Sequence, residues 1–145
     1  MPPVHVEVEK TLSHPVAAVF DFMAHPANRP RWQEHTQRVE MLTEGPSGIG
    51  TRWRETTTGL GTYGVEVVAF QPERLWVEEA DTSRGHGRIS VAFAPEGDAA
   101  TRVTVTVEIQ LRGMRRMMGA AVAPMIGRQL PRDLERLEVL LGESG

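Results

Sequence analysis

Residues 103–141 read VTVTVEIQLRGMRRMMGAAVAPMIGRQLPRDLERLEVLL, and a change of period divides them. Up to Leu111 apolar and polar residues alternate, which is typical of a strand with one buried face. After Gly113 apolar residues recur at every third or fourth position, which predicts a long amphipathic helix. Pro124 and Pro131 predict a kink or short break in it. The apolar stripe comprises Met114, Met117, Met118, Ala121, Val122, Met125, Ile126, Leu130, Leu134, Leu137 and Leu141.

Upstream of this stretch, strand and helix signals follow one another. Residues 4–9 have the period of a half-buried strand, residues 16–23 have helical spacing, and residues 24–32 carry two prolines with room for one helical turn. From residue 37 to residue 111, turn signals separate six further strand segments, and their short connections make them antiparallel neighbours. The sequence predicts an α+β domain: a curved seven-stranded antiparallel sheet, two short helices between strands 1 and 2, and a long C-terminal helix across the concave face.

The composition narrows the class of protein. With 145 residues and 40% hydrophobic content, residues 1–145 are predicted to form a single domain. A net charge of −3 and scattered arginines indicate no nucleic-acid partner. The lack of cysteine excludes disulfides, thiolate metal sites and cysteine nucleophiles. Without a signal-peptide pattern or an apolar run of roughly 18 residues, we expect a cytoplasmic protein with no stable membrane insertion.

The predicted architecture implies a cavity. One helix about 10 Å across cannot fill the concavity of a strongly twisted sheet, so part of the space is expected to stay open. Methionines are concentrated in the first half of the helix and leucines in the second half. Because flexible thioether side chains adapt to varied shapes, we expect the cavity under residues 114–125. A methionine that only fills the core is the competing interpretation at each position.

Alternation along the strands assigns side chains to the inner face of the sheet. The residues predicted to contact a ligand are Trp53, Thr57, Val65, Val67, Val77, Ile89 and Val91 from the strands, and Met114, Met117, Met118, Val122 and Met125 from the helix. Glu55, Glu79 and Tyr63 are predicted to join them as polar groups with catalytic potential. A register slip of one residue would turn both carboxylates into solvent.

Four segments resemble motifs of a known family. Residues 14–32, HPVAAVFDFMAHPANRPRW, resemble its opening helical segment, and residues 48–54, GIGTRWR, its second-hairpin signature. Residues 65–76, VEVVAFQPERLW, resemble a strand pair, and residues 93–111, FAPEGDAATRVTVTVEIQL, its penultimate hairpin. On these motifs and the order of elements, nearly the whole chain resembles the SRPBCC superfamily, which includes START lipid-transfer domains, birch-pollen-allergen-like proteins and the polyketide cyclase/dehydrase group. The last group is the nearest, and the resemblance implies a helix-grip fold.

This resemblance specifies the fold better than the function, because the superfamily hosts carriers, receptors, cyclases and ring-hydroxylating oxygenase domains. The oxygenase members bind iron through two histidines and a carboxylate. The five histidines of this chain include no closely spaced pair with an acidic partner, so we expect no metal site and no cofactor. Residues 45–50, GPSGIG, are similar to a Gly-rich loop of the allergen branch but are predicted to form a hairpin turn.

Three functions are compatible with these residues. The favoured one is binding or carriage of a small, largely hydrophobic molecule, of lipid, polyketide or aromatic type, between the sheet and the C-terminal helix. The second is a metal-free cyclase or dehydratase, in which Glu55 or Glu79 exchanges protons and Tyr63 orients a carbonyl. The third is an interaction module that forms a homodimer through an exposed edge strand. Carboxylates and tyrosines are also common as solvated strand-end residues, so their convergence is not established by the sequence.

Overall fold

The computed structural model describes residues 4–144, without the side chains at positions 114, 116, 119 and 144. The described part of the chain begins with β1 (Val4–Leu12), α1 (Val16–Met23), a 3-10 turn (Pro26–Asn28), α2 (Arg29–Trp32) and β2 (Thr36–Met41). Five strands follow: β3 (Arg52–Thr57), β4 (Gly61–Gln71), β5 (Leu75–Thr82), β6 (Gly85–Pro95) and β7 (Thr101–Leu111). A second 3-10 segment (Gly113–Met118) then leads into α3 (Gly119–Ser144).

The seven strands form one curved sheet in the order β1-β7-β6-β5-β4-β3-β2, and every neighbouring pair is antiparallel. The edges of the sheet are β1 and β2, which the short helices connect. Leucines of α3 pack with the concave face in one apolar cluster. The predicted α+β helix-grip fold is therefore confirmed.

The second half of α3 fills one end of the concave face. Leu134, Leu137 and Leu141 are buried there, and each such side chain stabilises the fold by about 1.5–3 kcal/mol relative to an exposed one. The N–H of Ser13 donates to Glu138 Oε2 at 2.7 Å and holds this end of α3 beside the end of β1. The same apolar cluster includes Phe20, Trp76, Val91, Phe93, Val103 and Val105.

The helix α3 continues through both of its prolines. The break predicted near Pro124 or Pro131 is wrong, since both lie inside one uninterrupted helix. Ile126 and Leu130, which lie between or beside them, pack against the core, and this packing supports the helix where a backbone donor is missing. Within residues 4–144, no helix has the length and apolar character needed to cross a membrane.

Alternation predicted the wrong face for β5. Residues 76–78 are all buried, so the apolar pattern of this strand does not distinguish its two faces. Glu78 lies opposite Ile89, and residues that lie opposite each other in an antiparallel pair share a face. Glu78 therefore projects from the concave face, while Val77 and Glu79 project from the convex face.

A β-bulge in β4 accompanies this difference. The pairing of β4 with β5 shifts between Val67 and Ala69, so that Val67 lies opposite Glu78 and Phe70 lies opposite Trp76. Because of the extra residue, the odd-numbered residues of β4 face inward before the bulge and the even-numbered residues face inward after it. A strict alternation carried along the whole strand misses this shift.

Asp133 joins α3 to the connection between α2 and β2. Its Oδ1 accepts the backbone N–H of Glu34 at 3.2 Å and the side-chain amide of Gln129 at 2.9 Å. The Asp133 side chain is buried, and this burial raises the pKa of its carboxyl above the ordinary value. The folded protein therefore holds a proton on Asp133 more tightly than the unfolded chain does.

We expect Asp133→Asn to stabilise the protein at pH 7, by less than about 1 kcal/mol, because an asparagine Oδ1 can accept the same two hydrogen bonds without a buried charge. The protonated Asp133 carboxyl contributes to the free energy of unfolding. This contribution is fully present below the ordinary pKa of 3.8 and is lost as the pH rises through the raised pKa of the folded protein. Urea unfolding of both proteins at several pH values measures the difference, which should shrink toward acid pH. A more stable wild type at pH 7 would contradict this account.

Candidate functional site

A buried arginine lies between two carboxylates inside the domain. Arg29 begins α2, and its Nη1 donates to Glu55 Oε1 at 3.1 Å and to Glu78 Oε2 at 2.9 Å. Its Nη2 donates to Glu78 Oε1. The three side chains, which we name the buried ion cluster, are exposed by only 6%, 7% and 6%. Strands β3 and β5 thus hold carboxylates at the two sides of a guanidinium supplied by α2.

Two tryptophans supply further donors to the buried ion cluster. Trp53 Nε1 donates to Glu55 Oε1 at 3.0 Å, and Trp76 Nε1 donates to Glu78 Oε1 at 2.8 Å. Each tryptophan precedes its glutamate by two residues on the same strand, so the two side chains share a face. The Arg29 guanidinium lies 4.8 Å from the centroid of the Trp53 ring, a cation–π distance. These partners are all donors, which suits ionised carboxylates.

Tyr63 and Thr57 extend the buried ion cluster toward solvent. The Tyr63 hydroxyl donates to Glu55 Oε2 at 3.2 Å and lies 2.9 Å from Thr57 Oγ1. The pairing of β3 with β4 fixes the first contact, because Tyr63 lies opposite Glu55 in the register. Both Tyr63 and Thr57 are partly exposed, so the network begins in the core and ends at side chains in partial contact with solvent.

The charges of the network act on one another. Burial lowers the pKa of Arg29, but the carboxylates of Glu78 and Glu55 raise it by more, so the guanidinium stays charged. Burial, followed by the charge of Glu55, raises the pKa of Tyr63 above its ordinary value, so the phenol stays protonated at neutral pH. With both glutamates ionised, the buried ion cluster carries one positive and two negative charges.

Most of the strand residues predicted to line the site share the concave face with the buried ion cluster. They are Trp53, Glu55, Thr57, Tyr63, Val65, Val67, Ile89 and Val91. Glu79 does not, because it lies on the convex face, where Arg88 donates to it at 2.8 Å. Val77 projects from that face too. The predicted meeting of Glu79 with Glu55 and Tyr63 is wrong, and Glu78 takes the inward position.

The helical residues predicted to line the site divide between two sides of α3. Val122 is partly buried, in line with Ile126 and the leucines that follow. Three methionines are exposed by 77%, 57% and 61%: Met117, Met118 and Met125. The prediction that they cover the cavity from inside is wrong. Three-to-four spacing selects more residues of the helix than the narrower set that packs against the sheet. The side chain of Met114 lies outside the described residues.

Small residues leave part of the concave face open. Ala80, Gly87 and Ile109 lie side by side across β5, β6 and β7. A Cβ added at Gly87 would meet no heavy atom within 4 Å. Tyr63, Ile89 and Ile109 are partly exposed there, although Val65 and Val107 beside them are buried, and the opposite end of the face is buried. We name the region of Tyr63, Ala80, Gly87, Ile89 and Ile109 the open end.

The open end lies at the end of the sheet from which the chain enters α3. Strand β7 ends at Leu111, opposite Gly85, and the chain then enters the 3-10 segment and α3. The helix runs back along the sheet until Glu138 meets Ser13 at the far end. A surface cleft at the start of this return is lined by Ser83, Arg112, Gly113, Arg115 and Met118.

Arg29 and Glu78 were not predicted as site residues from the sequence. The available signal was a pair of Trp-x-Glu triplets, residues 53–55 and 76–78, since positions two apart on a strand share a face. Arg29 carried no such signal, because an arginine in a proline-containing loop is usually solvent-exposed. Its burial follows from the two carboxylates that face it.

Within the described part of the chain, no group of three histidine, cysteine, aspartate or glutamate side chains is placed to hold a metal ion. His86 lies near two acidic groups on the convex face, 3.8 Å from Glu79 and 3.7 Å from Asp81. The concave face instead combines an apolar surface with one buried, charged network.

Comparison with known proteins points to one family. Residues 3–142 match the family described as polyketide cyclase/dehydrase and lipid transport. No curated protein sequence matches the chain.

Several solved structures have the same fold. TTHA0849 from Thermus thermophilus superposes with a TM-score of 0.78 at 17% identity, over 97% of this chain and 99% of that one. A START superfamily protein from Mycobacterium smegmatis has a TM-score of 0.81 at 12% identity, over 97% and 99%. The Zhui aromatase/cyclase from Streptomyces sp. R1128 has a TM-score of 0.72 at 18% identity, over 96% and 92%. At these identities the likeness is one of fold.

We expect Glu78→Gln to lower the free energy of unfolding by about 3 kcal/mol, because the new amide N–H₂ would meet N–H donors of Arg29 or Trp76 in the core. The matched control is Glu79→Gln, the neighbouring residue on the convex face, which should cost less than about 1 kcal/mol. Urea unfolding measures both variants. Equal losses would contradict a structural role for the buried ion cluster.

Proposed function

The chain belongs to the polyketide cyclase/dehydrase and lipid transport family, and from this premise we propose that it binds and carries a small, largely hydrophobic molecule inside the helix grip. The resemblance to the SRPBCC superfamily is confirmed by the family match and by the START superfamily fold. Family membership leaves carriage and catalysis both available, so the choice between them rests on the side chains of the concave face.

The observation that carries the proposal is the open space at Gly87. Gly87 is partly exposed on the concave face, and no heavy atom lies within 4 Å of the place where a Cβ would lie, so a ligand group can approach the sheet there. Ala80, opposite Gly87 on β5, adds no bulk beyond a methyl group. In the first half of α3, Val122, Ala123 and Ile126 are only partly buried, unlike the leucines at the other end of the helix.

The surroundings of this space have the composition of a ligand site. Ile89 and Ile109 supply partly exposed apolar surface, and the hydroxyls of Tyr63 and Thr57 supply polar groups at one side. Sites for small molecules commonly combine a mainly apolar lining with a few fixed polar groups. A hydrophobic molecule at the open end would bury surface on both partners, at about 25 cal/mol for each Å² removed from water.

The positions and hydrogen bonds of the carboxylates favour carriage of a ligand over acid–base catalysis. Glu79, one of the three candidate catalytic residues, lies on the convex face. Glu55 accepts hydrogen bonds from Arg29, Trp53 and Tyr63, and these three donors hold its carboxylate in a fixed orientation. A proton-exchanging group would need a free oxygen near the substrate, and both oxygens of Glu55 are occupied.

We expect wild-type protein to bind N-phenyl-1-naphthylamine, a neutral hydrophobic dye that fluoresces in apolar sites. Gly87→Leu should weaken this binding at least about tenfold, because the new side chain fills the open end. The control is Gly64→Leu, since Gly64 lies between inward-facing Tyr63 and Val65 and has open space on the convex face. This variant should bind the dye as the wild type does.

Fluorescence titration gives the affinities, and thermal unfolding verifies that each variant is folded. No fluorescence increase with the wild type, or equal binding by both glycine variants, would reject the open end as a ligand site. Native mass spectrometry of protein purified from its own cells would then identify the class of any natural ligand that remains bound.

A further inference from the structure

We infer that the open end selects an uncharged ligand that donates a hydrogen bond, such as an alcohol or a phenol, and that the oxygens of Thr57 and Tyr63 receive this donor. The inference rests on the proposed function and specifies its ligand class. Three features of the network lead to it: the direction of its hydrogen bonds, its net charge, and the exposure of its members.

The direction of the hydrogen bonds follows from proton counting. The hydroxyl of Tyr63 has one proton, and the ionised Glu55 can only accept, so this proton is used 3.2 Å away at Glu55 Oε2. The contact of 2.9 Å between Tyr63 and Thr57 then requires the Thr57 hydroxyl to donate. Both protons therefore point toward the carboxylate. What Tyr63 and Thr57 present to the open end is oxygen lone pairs, which suit a ligand O–H or N–H.

The net charge disfavours anionic ligands. The buried ion cluster has one guanidinium for two carboxylates, and Glu55 is the member in contact with Tyr63. In the low dielectric of the interior, the excess negative charge repels a ligand carboxylate or phosphate placed beside Tyr63. The positive charge of Arg29 does not reverse this effect, because its Nη groups are occupied by the two glutamates.

Two buried donors without partners do not alter this ligand class. Within residues 4–144, Arg29 Nε and Trp32 Nε1 are buried side-chain nitrogens without a hydrogen-bond partner. They would suit a ligand acceptor, but neither atom has surface that a solvent-sized group can reach. Thr57 and Tyr63 are the partly exposed members of this network, so we assign the ligand contact to their hydroxyls.

Three naphthalenes that differ in one substituent test the inference: 2-naphthol, 2-methoxynaphthalene and 2-naphthoate. Each competes with N-phenyl-1-naphthylamine for the wild-type protein at pH 7. One added hydrogen bond should make 2-naphthol bind about fivefold to tenfold more tightly than its methyl ether, which accepts but cannot donate. The anion 2-naphthoate should bind more weakly than both.

Two neighbouring threonines provide a matched pair of variants. Thr57→Val removes an acceptor at the open end, whereas Thr56→Val removes a hydroxyl on the convex face, where Thr56 bonds to Thr62 at 2.8 Å. Thr57→Val and Tyr63→Phe should each reduce the preference for 2-naphthol over 2-methoxynaphthalene, with little change in the affinity for the ether. Thr56→Val should leave the preference intact. Because the readout is a ratio of two affinities in one protein, a general loss of stability does not imitate it.

The outcomes separate the two proposals. If the dye binds and is displaced equally well by 2-naphthol and its ether, or best by 2-naphthoate, the inferred ligand class is wrong and the ligand site stands. If the preference survives in both Thr57→Val and Tyr63→Phe, these residues do not receive the donor. If neither the dye nor any of the naphthalenes binds, the proposed function fails and the inference fails with it.

Discussion

The ion pairs of Arg29 with Glu55 and Glu78 are the contacts on which the interior of this domain depends. The effective cost of removing a charge from water is several kcal/mol per ion, and an unpaired one would be more costly still. The two glutamates that pair with Arg29 lie 26 and 49 residues away from it in the chain, on β3 and β5. The cluster is thus satisfied only when α2, β3 and β5 have reached their final places, which makes one arrangement of the sheet and the short helices strongly preferred.

Around this cluster, the concave face has two ends that differ in the size of their side chains. At one end Phe20 packs edge-to-face on Phe93 at 5.1 Å between ring centroids, and the leucines of α3 complete a dense core. At the other end Ala80 and Gly87 lie opposite each other and leave space on the same face. On the proposed function, stability and ligand binding depend on different ends of the concave face. The charged network reaches the open end through the hydrogen bond of Tyr63 to Glu55.

Much of the architecture was predictable because apolar periodicity reports directly which side of an element is buried. The alternation in β7 and the three-to-four spacing in α3 predicted a sheet with a helix across it, and Glu55 and Tyr63 were assigned to the correct face. The prediction failed for β5, where Trp76, Val77 and Glu78 are all buried. It also failed for the methionines of α3, because composition does not show which of them lie on the contact row.

By itself, then, the sequence determined the order of elements, the antiparallel sheet and the family, since these follow from local patterns of apolar residues and turns. Only the tertiary structure decided which glutamate of the adjacent pair Glu78 and Glu79 faces inward, and that Arg29 meets it there. The physical reason is that a β-bulge and the pairing of distant strands fix the phase of each face, and burial of a charge depends on partners that the local sequence does not contain.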